Sequence, residues 1–303
     1  MSRTGFLLLF ALLAGLVSEN CAVTASETEA SPSYLLRYHY EPGEFVRYEV
    51  SDHSSVTTRK GQVQETVHNQ SDFWRHYRVV SVDTNGEAVL ELMIDRVRLM
   101  VQFDDAPPTL FDSADPNQQP DKFKSILSSV GHPMNRMRVD ARGEMLSIQN
   151  LQGGTAPTMD PALNFLLVFP EEPVSIGETW KQTLEVEVPV TARLKEKMKL
   201  LRTYTLVSVE NQIAKISVST ALAKPVRDPA VQTRLLQQTP SGTIEFDLES
   251  RQLVSRLLKV NETVVGAFGA ETMVEARGTR SEKRVTAEQT PEKTADGQLS
   301  RTK

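Results

Sequence analysis

Apolar and polar residues alternate with a period of two through most of this chain, and this alternation limits the folds that it can adopt. The pattern is clear in residues 46–50, 87–94 and 214–219, where every second residue is apolar. It is typical of antiparallel strands that turn one face to a core and the other to solvent. Turn-forming sequences separate these segments, as in D-T-N-G at 83–86 and D-A-R-G at 140–143. The chain is therefore predicted to be mostly antiparallel β, in the α+β class.

Two short helices are predicted to interrupt the strands. In residues 123–130 the apolar side chains fall three, one and three positions apart, which places them on one helical face, and Gly131 supplies a stop. Later in the chain, Asp228 is a predicted N-cap and Pro229 stands at the first helical position. Pro240 ends this second segment.

One sequence pattern occurs twice. The stretch H-Y-R-V-V-S-V-D begins at His76, and the similar stretch T-Y-T-L-V-S-V-E begins at Thr203. The pair G-E at 43–44 likewise recurs at 177–178. The matches keep the same order in both parts of the chain, which is a stronger indication of duplication than any single match. The alternative explanation is that all strands favour Val, Tyr and Ser.

Duplication predicts two related halves, residues 34–155 and 160–285, each made of long curved strands with one short helix. The halves should then have the same strand order, and Val46 should occupy the position that Trp180 occupies in the second half. A repeat of this length excludes a solenoid of short units. Whether the two halves share one core stays open at this stage.

The N-terminal residues are predicted to be a signal peptide. Arg3 supplies a positive charge, and the apolar run at 6–17 is too short to span a bilayer. The sequence V-T-A at 23–25 has small residues where signal peptidase cleaves. We therefore expect residues 1–25 to be removed and the mature protein to be exported to the periplasm, the cell surface or the medium. Residues 286–303 are poor in apolar side chains and are predicted to be a disordered tail.

The single cysteine, Cys21, falls inside the predicted signal peptide. The mature chain is then expected to have no disulfide, no thiol nucleophile and no cysteine-ligated metal. The disfavoured alternative is that Cys21 carries an acyl anchor. Glu19 and Asn20 precede it, where lipidation requires small apolar residues.

Charge and motifs argue against several classes of function. A net charge of −5 gives the chain no general attraction to nucleic acid. The sequence lacks G-x-S-x-G and H-E-x-x-H, and its five histidines show no metal-ligand spacing. We therefore predict no cofactor, no metal and no enzymatic activity. A hydrolase with paired carboxylates stays as a third hypothesis, because such a pair has no local signature.

Two sets of residues are candidates for binding. The first is predicted to line the core or a ligand cavity: Val46, Tyr48, Trp180 and Leu184. The Trp180 indole should face inward, and its N–H then needs a polar partner. The second set is predicted to form a basic stripe for an anionic partner or lipid headgroups: Arg193, Lys195, Lys197 and Lys199. The alternative is that these lysines protect a strand edge from aggregation.

Short motifs mark the turns and strand starts of the chain: P-G-E at 42–44, the repeated Y-x-[VL]-V-S-V strand, D-A-R-G-E at 140–144, E-E-P-V at 171–174 and G-E-T-W at 177–180. With these motifs the chain resembles an uncharacterised family of exported bacterial proteins with an internal duplication. The resemblance covers residues 34–284 and carries over no catalytic residue. More distantly, a long curved sheet with short helices is similar to the bacterial lipoprotein carriers of the envelope, whose open half-barrels hold acyl chains.

The favoured function is that of an exported, non-enzymatic binding protein of the cell envelope, with an apolar ligand or an exported partner on its curved sheet. The alternative is a structural or interaction module of a periplasmic or surface assembly with no small ligand. A contiguous cavity would favour the binding protein. A filled core with an exposed apolar rim would favour the interaction module.

Overall fold

The computed structural model describes residues 32–153, 166–189 and 195–289 of the 303-residue chain. The predicted signal peptide with Cys21, the stripe residue Arg193 and most of the predicted tail lie outside the described residues. The first tail residues form a short 3-10 turn at Ala287–Gln289. Among the described residues, no helix has both the length and the apolar character needed to cross a membrane.

The described residues form fourteen strands and two short α-helices. In chain order these are β1 (Ser33–Tyr34), β2 (Phe45–Lys60), β3 (Val63–Val82), β4 (Ala88–Phe103), β5 (Thr109–Asp112), α1 (Lys124–Leu127), β6 (Pro133–Val139), β7 (Met145–Asn150), β8 (Val174–Ser175), β9 (Thr179–Pro189), β10 (Lys195–Glu210), β11 (Ile213–Leu222), α2 (Pro229–Leu235), β12 (Ser241–Asp247), β13 (Gln252–Val265) and β14 (Thr272–Val285).

Twelve strands form one sheet, in which all pairings between neighbours are antiparallel. The order is β7-β6-β4-β3-β2-β14-β13-β12-β11-β10-β9, and β5 pairs with β4. Strand β2 pairs with β14 along most of its length, so the two predicted halves join into one continuous sheet. The prediction of a mostly antiparallel β fold is confirmed.

One hydrophobic core serves both halves. It lies on the inner face of the sheet, which we define as the face that carries Val46, Tyr48 and Val50 of β2. Two segments cover this face, residues 34–40 and 166–174, and their buried side chains belong to the same cluster as the inner strand residues. The predicted halves therefore share one core.

Strand order and register agree between the halves. Each half is a meander, β2-β3-β4-β6-β7 in the first and β9-β10-β11-β12-β13 in the second. The cross-strand pair Val46–Tyr77 has Trp180–Tyr204 as its counterpart. Register shifts also recur at matching places: after Val79 and Leu206, and before Val139 and Phe246. Common origin of the halves stays a prediction, and β14 has no counterpart among the described strands of the first half.

The two predicted helices differ in extent. Helix α2 matches its prediction, and the Asp228 carboxylate accepts a hydrogen bond from the Ala230 backbone N–H at 2.8 Å. Helix α1 is a single turn of four residues after a 3-10 turn at Asp121–Phe123, instead of the longer helix predicted over 123–130. No side chain caps its N-terminus, and so short a helix has little to offset the cost of nucleation.

Candidate functional site

A cavity of about 210 Å³ lies on the inner face between β10 and β14. Apolar and charged side chains both line it. The lining residues are Asp52, Ser54, Arg202, Gln237, Gln238, Pro240, Leu258, Val260, Gly278, Thr279 and Arg280.

The cavity exists because the sheet is curved. Arg202 on β10 and Arg280 on β14 are four strand spacings apart, which would be roughly 19 Å in a flat sheet. Both nevertheless line the same small cavity. Gly242 on β12 marks a close approach within the intervening strands, since a Cβ there would lie 1.9 Å from the Leu257 carbonyl oxygen of β13. No other residue fits this position without displacing the backbone.

The inner face changes from apolar to polar along the strands. On β2, Val46, Tyr48 and Val50 are buried in the core, and the next two residues of the same face are Asp52 and Ser54. The cavity begins where this change occurs. The polar part of the inner face thus lies beside the shared core and not within it.

The centre of the polar region is Glu282, which is 2% exposed. Its two carboxylate oxygens accept hydrogen bonds from the guanidinium groups of Arg75 and Arg256. Burial alone would raise the pKa of Glu282, but the two guanidinium groups outweigh burial and hold this pKa below its ordinary value. Glu282 is therefore an ionised counter-charge for two buried arginines.

Two further arginines face the cavity. Arg280 lies 3.8 Å from the Asp52 carboxylate, and burial together with the charges of Arg256 and Arg75 lowers the pKa of Arg280. Arg202 is 8% exposed, and its Nε donates a hydrogen bond to the Thr220 hydroxyl at 3.1 Å. Among the described residues that line the cavity, Asp52 is the single acid.

The predicted core- or cavity-lining residues are placed in the core. Val46 and Tyr48 are fully buried there. Trp180 is half-buried, stacks on Tyr204 with ring centroids 5.4 Å apart, and donates its indole N–H to the Val168 carbonyl at 2.9 Å. Leu184 packs against the apolar cluster beneath α2. None of these four residues lines the inner-face cavity.

We expect Trp180→Ala to lower the free energy of unfolding by about 2 kcal/mol, less than the 3–5 kcal/mol typical of a fully buried tryptophan. The reason is that Trp180 is only half-buried and the loss is mainly that of the stack on Tyr204. Trp180→Phe keeps an aromatic ring but loses the hydrogen bond to Val168, so it should cost about 1 kcal/mol. Urea unfolding of the wild type and the two variants measures both values. Equal losses in the two variants would show that the stack on Tyr204 does not contribute to stability.

The predicted basic stripe carries charges of both signs. Lys195, Lys197 and Lys199 of β10 lie 3.6–4.0 Å from Glu185 and Glu187 of β9. All five side chains are largely exposed, and such pairs contribute little to stability. The lysines also lie next to β9, which is the last strand of the sheet. The stripe therefore presents little net charge to an anionic partner.

Acid is expected to destabilise the fold through Glu282. Because its pKa is lower in the folded than in the unfolded protein, its contribution is present above about pH 4.3 and is lost as the pH falls through the folded pKa. Glu282→Gln should reduce the dependence of the urea midpoint on pH between about 5 and 3. A variant with the same dependence as the wild type would show that Glu282 is not the group responsible.

Sequence patterns alone did not single out the arginines and Glu282 of this site. The signal that could have identified them is their position in the alternation of β14. Arg280 and Glu282 share their strand face with the apolar Val274 and Ala276. A charged residue at an inward position of an alternating strand indicates a buried ion pair or a site. Within the described residues, no group of three or more His, Cys, Asp or Glu side chains could hold a metal ion.

Comparisons with known proteins find one family model that matches part of the chain, and that family has no known function. The family of unknown function DUF6263 matches residues 163–252, from before β8 to the start of β13. The predicted resemblance to an uncharacterised family is confirmed over this region. No curated protein matches the chain.

Three solved structures show distant similarity. Lipovitellin, described for its lipid–protein interactions, is 11% identical with a TM-score of 0.43, and the alignment covers 83% of this chain and 27% of that one. This chain thus spans about a quarter of the lipovitellin chain. DynF of the dynemicin biosynthesis pathway of Micromonospora chersina is 4% identical, with a TM-score of 0.22 and coverage of 86% and 90%. A DUF1329 family protein from Desulfovibrio piger ATCC 29098 is 11% identical, with a TM-score of 0.16 and coverage of 78% and 83%. Similarities at this level carry no argument about function.

Proposed function

We propose that this protein is an exported, non-enzymatic binding protein that holds a small ligand in the inner-face cavity. The observation that carries the proposal is the cavity of about 210 Å³ between β10 and β14, with charged, amide and apolar side chains directed to one space. Such a combination is typical of ligand sites. The predicted ligand class changes accordingly: a wholly apolar ligand would place no polar group against the Arg202 guanidinium group and the Gln238 amide, so the ligand has a polar part.

A binding role fits the state of the buried acid better than catalysis does. Glu282 is held ionised between Arg75 and Arg256, so it is a poor proton donor at neutral pH. Asp52 lies near Arg280 at 3.8 Å. Asp52, which lines the cavity, and Glu282, which lies beside it, are thus both engaged by arginines, whereas a hydrolase needs one carboxyl group that gives up a proton.

Native mass spectrometry of the protein purified from its own host tests the proposal. We expect a bound species of constant mass that is lost after unfolding and refolding. Gly278→Leu supplies a variant that fills the cavity, because a Cβ at this position meets only ordinary contacts, the nearest at 3.6 Å. Lys215→Leu, on the exposed outer face of β11, is the matched control and should retain the bound species. A wild-type protein without any adduct would contradict the proposal.

Export makes a separate prediction. The apolar run at 6–17 and V-T-A at 23–25 predict a mature N-terminus at Ser26. N-terminal sequencing of the protein from its host measures it, and a cytoplasmic protein with an intact N-terminus would contradict export. A mature chain that starts at a diacylated Cys21 would show instead that the exported protein is anchored to a membrane.

An interaction module is the second candidate function, and one surface favours it. Large apolar side chains are 60–70% exposed at one end of the central strands, at the tips of the β2–β3 and β13–β14 hairpins and at the end of β4: Val63, Phe103, Val265 and Phe268. The Gly61 backbone N–H donates to the Glu271 carbonyl at 3.2 Å and so joins the two hairpin ends. A photo-crosslinking residue at position 268 should capture a partner in the host envelope under this hypothesis, whereas the same residue at Phe45, near the opposite end of β2, should not.

A further inference from the structure

Four arginines surround the inner-face cavity and its adjoining polar region. They are Arg75, Arg202, Arg256 and Arg280, and the carboxylates that face them are Asp52 and Glu282. Within the part of the chain that the structure describes, four positive charges face two negative charges in this region, which leaves a net charge of +2. Burial strengthens electrostatic interactions because the local dielectric constant is lower than that of water.

We propose that Arg202 and Arg280 bind an anionic group of the ligand, a carboxylate or a phosphate, in the inner-face cavity. This inference rests on the proposed binding function and specifies its ligand class. It follows from the excess of positive charge at a place where the chain leaves an open space.

The surroundings of Arg202 carry the inference furthest. This side chain is more than nine-tenths buried and lines the cavity, yet its hydrogen-bond partners among the described residues are the neutral hydroxyl groups of Thr220 and Tyr204. By contrast, Arg75 and Arg256 share a carboxylate, and Arg280 lies near one. A buried arginine normally has an anionic partner, because removing its charge from water is costly. An anion in the cavity would supply that partner.

The lining also indicates what the anion is attached to. Pro240, Leu258 and Val260 give the cavity an apolar part, and Gln237 and Gln238 give it amide donors and acceptors. The planar guanidinium group forms paired hydrogen bonds with carboxylate and phosphate oxygens, which favours these two anions. The ligand is therefore an acid with a short apolar or weakly polar group. Carboxylic acids and phosphate monoesters are its two possible sources.

Isothermal titration with four probes tests the inference on the intact protein. Octanoate and octyl phosphate carry the two anionic groups on the same chain, octanol carries the chain without the charge, and inorganic phosphate carries the charge without the chain. We expect binding of at least one of the two anionic octyl probes and much weaker binding of octanol. The stronger of the two anionic probes then identifies the head group.

Arg202→Gln and Arg280→Gln are each expected to lower the affinity for the anionic probe by about 10- to 100-fold. This loss corresponds to one charge-assisted hydrogen bond. Arg138→Gln is the matched control, because Arg138 pairs with Glu87 at 2.9 Å on the other face of the sheet and is about half exposed. It should leave the affinity unchanged. Arg202→Gln also removes one charge from a positive cluster, so its urea midpoint should equal or exceed that of the wild type.

The urea midpoint of Arg202→Gln separates ligand binding from a structural role. If Arg202 only supported the fold, its replacement would lower the urea midpoint. Equal affinities for octanol and the anionic probes would overturn the inference and leave the proposed binding function standing. An unchanged affinity in both arginine variants would overturn it as well. If none of the four probes bound, the inference would fail, and the absence of any native adduct would then also end the proposed function.

Discussion

Glu282→Ala is expected to lower the free energy of unfolding by about 3–5 kcal/mol, a large part of the stability of a typical domain. Glu282 accepts hydrogen bonds from Arg75 and Arg256, and its side chain is nearly inaccessible to solvent. Without it, two buried guanidinium groups lose their shared counter-charge. Water cannot easily replace the carboxylate there, because the Tyr48 and Tyr77 rings lie beside the same cluster.

Two further variants test this explanation by urea unfolding. Asp52→Ala removes a carboxylate of the same cluster that is 37% exposed and lies 3.8 Å from Arg280. It should cost less than about 1 kcal/mol, as exposed pairs do. Glu282→Ala combined with Arg256→Met should be more stable than Glu282→Ala alone, because one uncompensated charge is gone. A double variant as unstable as the sum of its single changes would argue against a charge effect.

The sequence predicts the strands of this fold well because their period is local. Residues 46–50 and 214–219 alternate regardless of what they pair with, so the first part of β2 and the greater part of β11 follow from the pattern alone. The repeated stretch at 76–83 and 203–210 also predicts which strands correspond, and the register of β3 and β10 agrees with it. The sheet order across the join of β2 and β14 does not follow, since nothing local links residues more than 200 positions apart.

The candidate site could not be predicted for the same reason. Arg256 and Glu282 are cross-strand neighbours on β13 and β14, which the sequence does not reveal, and the curvature of the sheet brings Arg202 of β10 to the same region. The sequence predicts that Trp180, at the start of a strand after G-E-T at 177–179, lines the core or a ligand cavity, and the structure places it against the core beside Tyr204. A residue with a strong local signal thus belongs to the packing, and residues with weak local signals form the cavity.

Phe246→Ala is expected to cost about 3–5 kcal/mol, the range for removing a fully buried phenylalanine. Phe246 is completely inaccessible on the inner face of β12. Its ring is 4.7 Å from that of Phe169 and 5.4 Å from that of Tyr38, both in near-perpendicular arrangements that are favourable for aromatic pairs. Phe169 and Tyr38 belong to the two segments that cover the core, so one side chain holds both covers.

The position of Phe246 between the two covering segments predicts which backbone amides lose protection from exchange in Phe246→Ala. The Tyr38 backbone N–H donates to Ala141 at 2.7 Å and that of Phe169 to Arg142 at 2.9 Å, so both covers are tied to the turn between β6 and β7. In Phe246→Ala these two amides should exchange with solvent faster than those of β3 and β4. Phe45→Ala, which removes a 44% exposed ring from the other face of the sheet, is the control and should cost about 1 kcal/mol or less. If Phe246→Ala lost little stability and left both amides protected, the covers would be held by the strands alone, and the cavity beside them would not depend on this aromatic contact.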